Sequence, residues 1–201
     1  MSSITVSLPD GSQRELPASS TPLDLAASIG SGLKKAAVAA TVNGVDTDLT
    51  RELHDGDEVA IITSNTDDGR HVLRHSTAHV LAQAVTRLFP GAKFTIGPAI
   101  ENGFYYDFDL PDGKTFSDDD LEAIENEMRA IVKANQPFTR SEHSPEEAKE
   151  IFADQPYKVE IIERVTGAEA DAEDAGEIAG EVVSACRTLH ADPVSCKAEQ
   201  N

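Results

Sequence analysis

Before residue 64 the chain switches its hydrophobic period from two to that of a helix and back again, and few folds accept that order. Ile4-Thr5-Val6-Ser7-Leu8 alternates with period two, as a half-buried strand does. Pro9-Asp10-Gly11-Ser12 is a turn signal, and Arg14-Glu15-Leu16 reads as the returning strand of a hairpin. Thr21 and Pro22 open a helix, as N-cap and first helical residue. Leu23, Leu25, Ala26 and Ile29 give that helix an apolar side, and Gly30 can end it. Val38-Ala39-Ala40-Thr41-Val42 is a third strand closed by the turn Asn43-Gly44. After the turn Asp55-Gly56-Asp57, Glu58-Val59-Ala60-Ile61-Ile62 is the last strand.

The order ββαβ…β in so short a span fits a β-grasp, ubiquitin-like module. Residues 65–70 are polar and turn-rich, and read as a linker between domains. A second unit follows. Residues 71–88 have helical periodicity, with Val72, Ala78, Leu81, Ala82 and Val85 among the apolar positions, and Pro90-Gly91 ends them. Phe94-Thr95-Ile96-Gly97 and residues 103–108 read as strands. Ser117 caps a helix over 118–134 whose first turn is acidic, as the helix dipole favours. Ser144-Pro145-Glu146-Glu147 starts another helix, and residues 157–162 read as a strand. The stretch 166–181 is Ala, Glu, Asp and Gly with little apolar bulk, so no packed element is expected there. The expected class is α+β, in two domains.

Charge narrows the partners. Of 201 residues, 36 are Asp or Glu and 17 are Lys or Arg, a formal net charge of −19. That argues against a protein that coats nucleic acid through a diffuse cationic surface, but leaves room for a local basic groove. Neither DNA nor a membrane is an expected partner, because no apolar run approaches membrane-spanning length. The N-terminus shows no secretory pattern. With only Cys186 and Cys196, a disulfide framework is excluded and the cytoplasm is the expected location.

Two motifs could carry chemistry. His75 and His79 lie four apart on the expected helix, which puts both imidazoles on one face. Such a pair can bind a metal, shuttle a proton or clamp a substrate; it can equally be two surface histidines. Cys186 and His190 repeat the spacing, and the four could complete a tetrahedral zinc site or be a chance pairing. Tyr106 sits in the cluster Asn102-Gly103-Phe104-Tyr105-Tyr106-Asp107, where a hydroxyl could orient a polar substrate. Lys158 could meet a phosphate or a carbonyl oxygen. Walker A, dinucleotide-binding and nucleophile-elbow motifs are absent.

The strings His75-Ser76-Thr77-Ala78-His79-Val80-Leu81-Ala82, Ile96-Gly97-Pro98 and Asn102-Gly103-Phe104-Tyr105-Tyr106-Asp107 resemble the N-terminal half of bacterial threonyl-tRNA synthetases. The domain order resembles that family as well. The resemblance implies a TGS β-grasp domain over 1–64 and an aminoacyl-tRNA editing domain over 71–165. Residues 166–201 would be an atypical acidic end to it. It implies hydrolysis of mischarged seryl-tRNA(Thr), with the acceptor end of tRNA(Thr) as partner. It also implies that His75, His79, Tyr106, Lys158, Cys186 and His190 line the site. The family motif D-x-C-R-G-P-H stands here as Ser184-Ala185-Cys186-Arg187-Thr188-Leu189-His190, with the acid and the Gly-Pro pair replaced. No cofactor is expected in this chain, and a metal-free site is favoured over zinc because ester hydrolysis needs only a positioned water. The class II core, with its ATP and catalytic zinc, is not in the sequence, so a synthetase remainder is an expected partner. A non-catalytic remnant and a regulatory tRNA- or protein-binding module are the alternatives.

Overall fold

A computed structural model describes residues 2–136, 138–166, 183–188 and 194–195. The chain divides into two compact units, residues 1–74 and 75–200.

In the first unit β1 (Ser3–Ser7) and β2 (Gln13–Pro17) form an antiparallel hairpin in which Ile4 faces Leu16. Its turn is tied by Gly11 N–H to the Leu8 carbonyl (2.9 Å) and by Ser12 N–H to the Asp10 carboxylate (2.9 Å). Helix α1 (Pro22–Ile29) starts in a capping box. The Thr21 hydroxyl accepts the Asp24 N–H, and Asp24 accepts the Thr21 N–H. A short helix α2 (Ser31–Ala36) follows, then β3 (Ala37–Val42), β4 (Val45–Thr47) and β5 (Val59–Thr63). Neither α2 nor β4 was legible, since both are too short to show a period. Asn43 (φ 54°) and Gly44 (φ 82°) are both left-handed, as a two-residue hairpin turn with the twist of its strands requires. β3 lies between β4 and β5, and a parallel bridge from Ser7 to Glu58 joins β1 to β5. That one bridge sets the hairpin beside the three-stranded sheet in the order β2-β1-β5-β3-β4, the β-grasp arrangement. Val6, Leu16, Leu25, Ala40, Val42, Leu53 and Val59 close its core against α1.

The segment expected to be a linker is mostly the start of a helix. Helix α3 (Asp67–Leu88) begins where Thr66 accepts the Gly69 N–H (3.1 Å) and donates to the Thr63 carbonyl (2.8 Å). A Cβ on Gly69 would lie 1.9 Å from that carbonyl oxygen, so only glycine fits. The polar residues read as a linker are thus a helix cap.

In the second unit the strands are minimal. β6 (Lys93–Phe94) pairs with β9 (Phe108–Asp109), and β7 (Ala99–Ile100) with β8 (Gly103–Phe104). Helix α4 (Asp118–Ala134) has the Ser117–Asp120 capping box. Ala84, Val85, Ala92, Leu110, Ile124 and Ile131 form the core between α3 and α4, with Phe89, Phe108, Phe116 and Met128 against it. Strand β10 (Phe138–His143) leads to α5 (Pro145–Ile151) and α6 (Pro156–Thr166). β11 (Val183–Thr188) pairs antiparallel with β10 and with β12 (Val194–Ser195).

Helix α6 corrects the expected strand over 157–162. Tyr157, Val159 and Ile161 alternate, but the residues that bury are Lys158 and Ile162, one helical turn apart. Ile162 and Val159 pack on Phe152 and Ala148 of the α5 segment, and Pro156 supplies the first-turn residue. Of the strands expected over 94–97 and 103–108, only Phe94 of β6, β8 and Phe108 of β9 are laddered, and the rings of Phe94, Tyr106 and Phe108 pack on one another beside them.

Candidate functional site

The site is built on one face of α3. Ala78, Ala82 and Val85 bury at helical spacing, and this turns His79 inward with Ala78. His75, one turn earlier, is half-buried. The two Nε2 atoms are 2.9 Å apart and the rings meet edge to face, 4.6 Å between centroids. One nitrogen donates and the other accepts. His79 is only 6% exposed, and burial pushes its pKa down to about 3. The charges of His75 and Lys158 act in the same direction. His79 is therefore neutral at physiological pH, with one ring nitrogen protonated and the other an acceptor.

Tyr106 stacks on Phe108 (5.0 Å) and stands edge-on to Phe94 (6.0 Å). Burial pushes its phenol above the ordinary tyrosine value, so it stays protonated and can donate. Gly97 is where this cluster meets α3. A Cβ there would lie 2.2 Å from the Tyr106 ring and 3.1 Å from the Ala78 methyl. The absence of a side chain at 97 is what leaves room for the Tyr106 ring on one side of it and for Ala78 of α3 on the other.

Lys158 comes from α6, and is 4% exposed. Its Nζ lies over the Phe94 ring, 5.4 Å from the centroid, and the ring's negative face partly answers the ammonium. The start of α6 is tied to the strand that carries Phe94. Gln155 accepts the Phe94 N–H (3.3 Å) and donates to the Ala92 carbonyl (3.2 Å). The Lys93 ammonium donates to the Asp154 carbonyl, and the Tyr157 hydroxyl to Asp109 (3.3 Å).

His75, His79, Tyr106 and Lys158 are thus brought together. Cys186 lies on β11 in register with Arg140 and Val194, and its backbone alone is described. His190 lies outside the described residues. Gly97 and Gln155 are the residues that sequence reasoning passed over as contributors to the site. The signals were present: a glycine before Pro98 at the end of the expected strand, and a glutamine immediately before Pro156-Tyr157-Lys158.

Only the histidine half of the expected four-residue zinc set can be placed, since the Cys186 side chain and His190 lie outside what is described. Zinc holds nitrogen at about 2.0–2.1 Å in a tetrahedron, which sets two ligands about 3.3 Å apart. At 2.9 Å the two nitrogens share a hydrogen, and the charge of Lys158 already acts on the buried ring. Among the described residues no group of three His, Cys, Asp or Glu could hold an ion.

Residues 4–63 match the TGS domain family. The chain is 52% identical over 164 residues to the threonine–tRNA ligase of Pelobacter propionicus, covering 81% of this chain and 26% of that protein. The chain is homologous to the N-terminal part of threonine–tRNA ligases. Against the Staphylococcus epidermidis ligase it is 42% identical over 195 residues, covering 97% of this chain and 30% of the ligase. An alignment that long leaves about six of the 201 residues out, so the ligase likeness continues into the acidic C-terminal segment. The chain spans between a quarter and a third of the length of these relatives. Among the described residues no helix is long and apolar enough to cross a membrane.

Proposed function

We propose that the chain is a tRNA-binding editing module that hydrolyses the ester of seryl-tRNA(Thr). What carries the reading is the buried, neutral His79 hydrogen-bonded to half-buried His75, with the Lys158 ammonium held in the same interior. Burying an ammonium and an imidazole together is costly, and such groups collect where chemistry uses them. Serine and threonine differ by one methyl, and a binding pocket gains only about 1–3 kcal/mol from one methylene-sized contact. Faithful charging therefore needs a second, hydrolytic site.

The chemistry is acyl transfer to water. The 3′-terminal ribose presents the seryl ester, and water adds to the carbonyl carbon. His75, the more exposed ring, takes the proton from water, and His79 holds it oriented through the shared Nε2 hydrogen. Lys158 stabilises the oxyanion as it develops. The tetrahedral intermediate then collapses, the ribose oxygen leaves with the proton, and serine is released. The Tyr106 phenol orients the substrate by donating. Threonine is excluded by its extra methyl. No step uses a metal. The phosphates of the acceptor end would be met locally, since the chain as a whole carries −19. The cytoplasm is where such a substrate is found.

Deacylation of seryl-tRNA(Thr) by the purified chain, with threonyl-tRNA(Thr) as control, tests the reading. Serine-selective release is the expected result. A folded protein that releases neither amino acid would overturn it. The replaced acid and Gly-Pro of the Cys186–His190 segment would then favour a tRNA-binding remnant.

A further inference from the structure

We propose that Gln155 is a positioning residue for Lys158, setting the ammonium on the Phe94 ring by fastening the first turn of α6 to β6. Its catalytic meaning rests on the hydrolytic reading above; its geometry does not.

Both ends of the Gln155 amide are engaged on the strand. Its oxygen accepts the Phe94 N–H at 3.3 Å, and its nitrogen donates to the Ala92 carbonyl at 3.2 Å. The side chain thereby stands in for a neighbouring strand along an edge only two residues long. The same residue's carbonyl starts the helix, accepting the Lys158 N–H at 2.9 Å and the Val159 N–H at 3.2 Å. Gln155 therefore grips the backbone of Phe94 with its side chain and the backbone of Lys158 with its carbonyl. The Lys158 side chain then returns to the ring of that same Phe94, 5.4 Å from its centroid. Two contacts converge on one aromatic residue, and Gln155 sets the distance between them. A lysine has a flexible four-carbon stem, so the place of its ammonium depends on where its helix begins. Tyr157 and Lys93 also tie α6 down, but Tyr157 reaches β9 and Lys93 meets the carbonyl of Asp154. Of these three ties, the one through Gln155 runs from Lys158 to Phe94 itself.

The test reads the geometry directly. An ammonium stem over a ring face has its ε-methylene protons shifted upfield by the ring current, and NMR of the full chain reports that displacement. Phe94→Leu, which removes the ring, marks its zero. Gln155→Met keeps the volume and removes both hydrogen bonds. It is expected to lose most of the Lys158 displacement while keeping its helix content. Serine release should slow by about 10-fold to 100-fold, mainly in kcat, as for a misplaced catalytic group. If the displacement survives in Gln155→Met while only the melting temperature falls, Gln155 is merely structural and the proposal fails. If the Met variant does not fold, Gln155→Asn, whose amide is drawn back by one methylene, decides on the same signal. A wild-type chain with no hydrolytic activity would overturn the functional reading yet leave this signal to decide the positioning.

Discussion

The two units bury different things. All seven phenylalanines and all three tyrosines lie between Phe89 and Tyr157, so the first unit has none. Its core is aliphatic, and its buried polar side chains, Ser20 and Asp57, serve the turns around them. Ser20 donates to the Pro17 carbonyl, and Asp57 accepts from the His54 N–H and the Asn43 amide. In the second unit His79 is bonded to another side chain and Lys158 lies over an aromatic face. Polar groups that serve the main chain make a fold specific. Polar groups buried against one another cost stability and are kept where a site needs them.

Removing His79 is the sharpest way to break that contrast. His79→Ala should lower serine release by about 10²-fold, as when a catalytic base loses the group that orients it. Unfolding of the first unit should not change. A variant with wild-type turnover would make the buried pair a core feature of the same kind as Asp57.

Acid separates the units next. His79 titrates at about 3 when folded and near its ordinary 6.5 when unfolded. Between those values the unfolded chain binds more protons, so stability is complete above pH 6.5 and falls as pH drops towards 3. Every tenfold difference in proton affinity between the folded and unfolded chain is worth about 1.4 kcal/mol. Tyrosine fluorescence reports the second unit alone, because Tyr105, Tyr106 and Tyr157 all lie there. His79→Gln should flatten the slope; an unchanged slope would assign it to the carboxylates.

The same contrast explains what was legible from sequence. The first unit could be read nearly strand by strand, because period-two alternation, Asn43-Gly44 and Thr21-Pro22 are local signals that tertiary packing left in place. In the second unit the histidine pair was legible, since four-residue spacing becomes proximity on any helix. Tyr106 and Lys158 were named as candidates too, but what holds each of them in place was not legible. Tyr106 and Phe94 are placed by ring contacts between two-residue strands, which carry no period. Helix α6 was misread because Tyr157, Val159 and Ile161 alternate, while Lys158 buries against Phe94, far off in sequence, and Ile162 against Phe152 across the turn from α5. The likeness to threonine–tRNA ligases identified the residues, but only the structure showed what holds Lys158.

Asp57 provides the matching test in the first unit. Asp57→Ala leaves the Asn43 amide and the His54 N–H without their acceptor and should cost about 1–3 kcal/mol. Chemical denaturation should show the loss, with seryl-tRNA hydrolysis unchanged per folded molecule. Lost activity at full folding would mean that the first unit's buried carboxylate also serves the site.

Gly97→Ala probes packing alone, since the backbone at 97 is not left-handed. The new methyl would meet the Tyr106 ring, which can give way by moving aside. A cost of about 1–3 kcal/mol is expected, together with slower serine release as the Tyr106 ring shifts. Gly69→Ala in the first unit would meet a main-chain carbonyl instead, which cannot rotate aside, and should cost more without touching the chemistry.

The smallest effect should be the same in both units. Thr21 and Ser117 each head a capping box, with Asp24 and Asp120 closing it from the third helical position. Thr21→Ala and Ser117→Ala should each cost about 1 kcal/mol, because both helices lose the same kind of first-turn bond whatever lies beneath them. The Asp120 carboxyl is held below its ordinary value by the hydroxyl and N–H of Ser117. The Ser117 cap is therefore whole above the ordinary carboxylate pKa and is lost as pH falls through the lower folded value. That window lies at the acid end of the range in which His79 titrates. Two melts across pH, one of Ser117→Ala and one of His79→Gln, should diverge above pH 4. An effect of Ser117→Ala that grew from pH 6.5 downwards would show that the helix start and the buried histidine unfold as one coupled structure, and the separation drawn between capped scaffold and buried site would have to be given up.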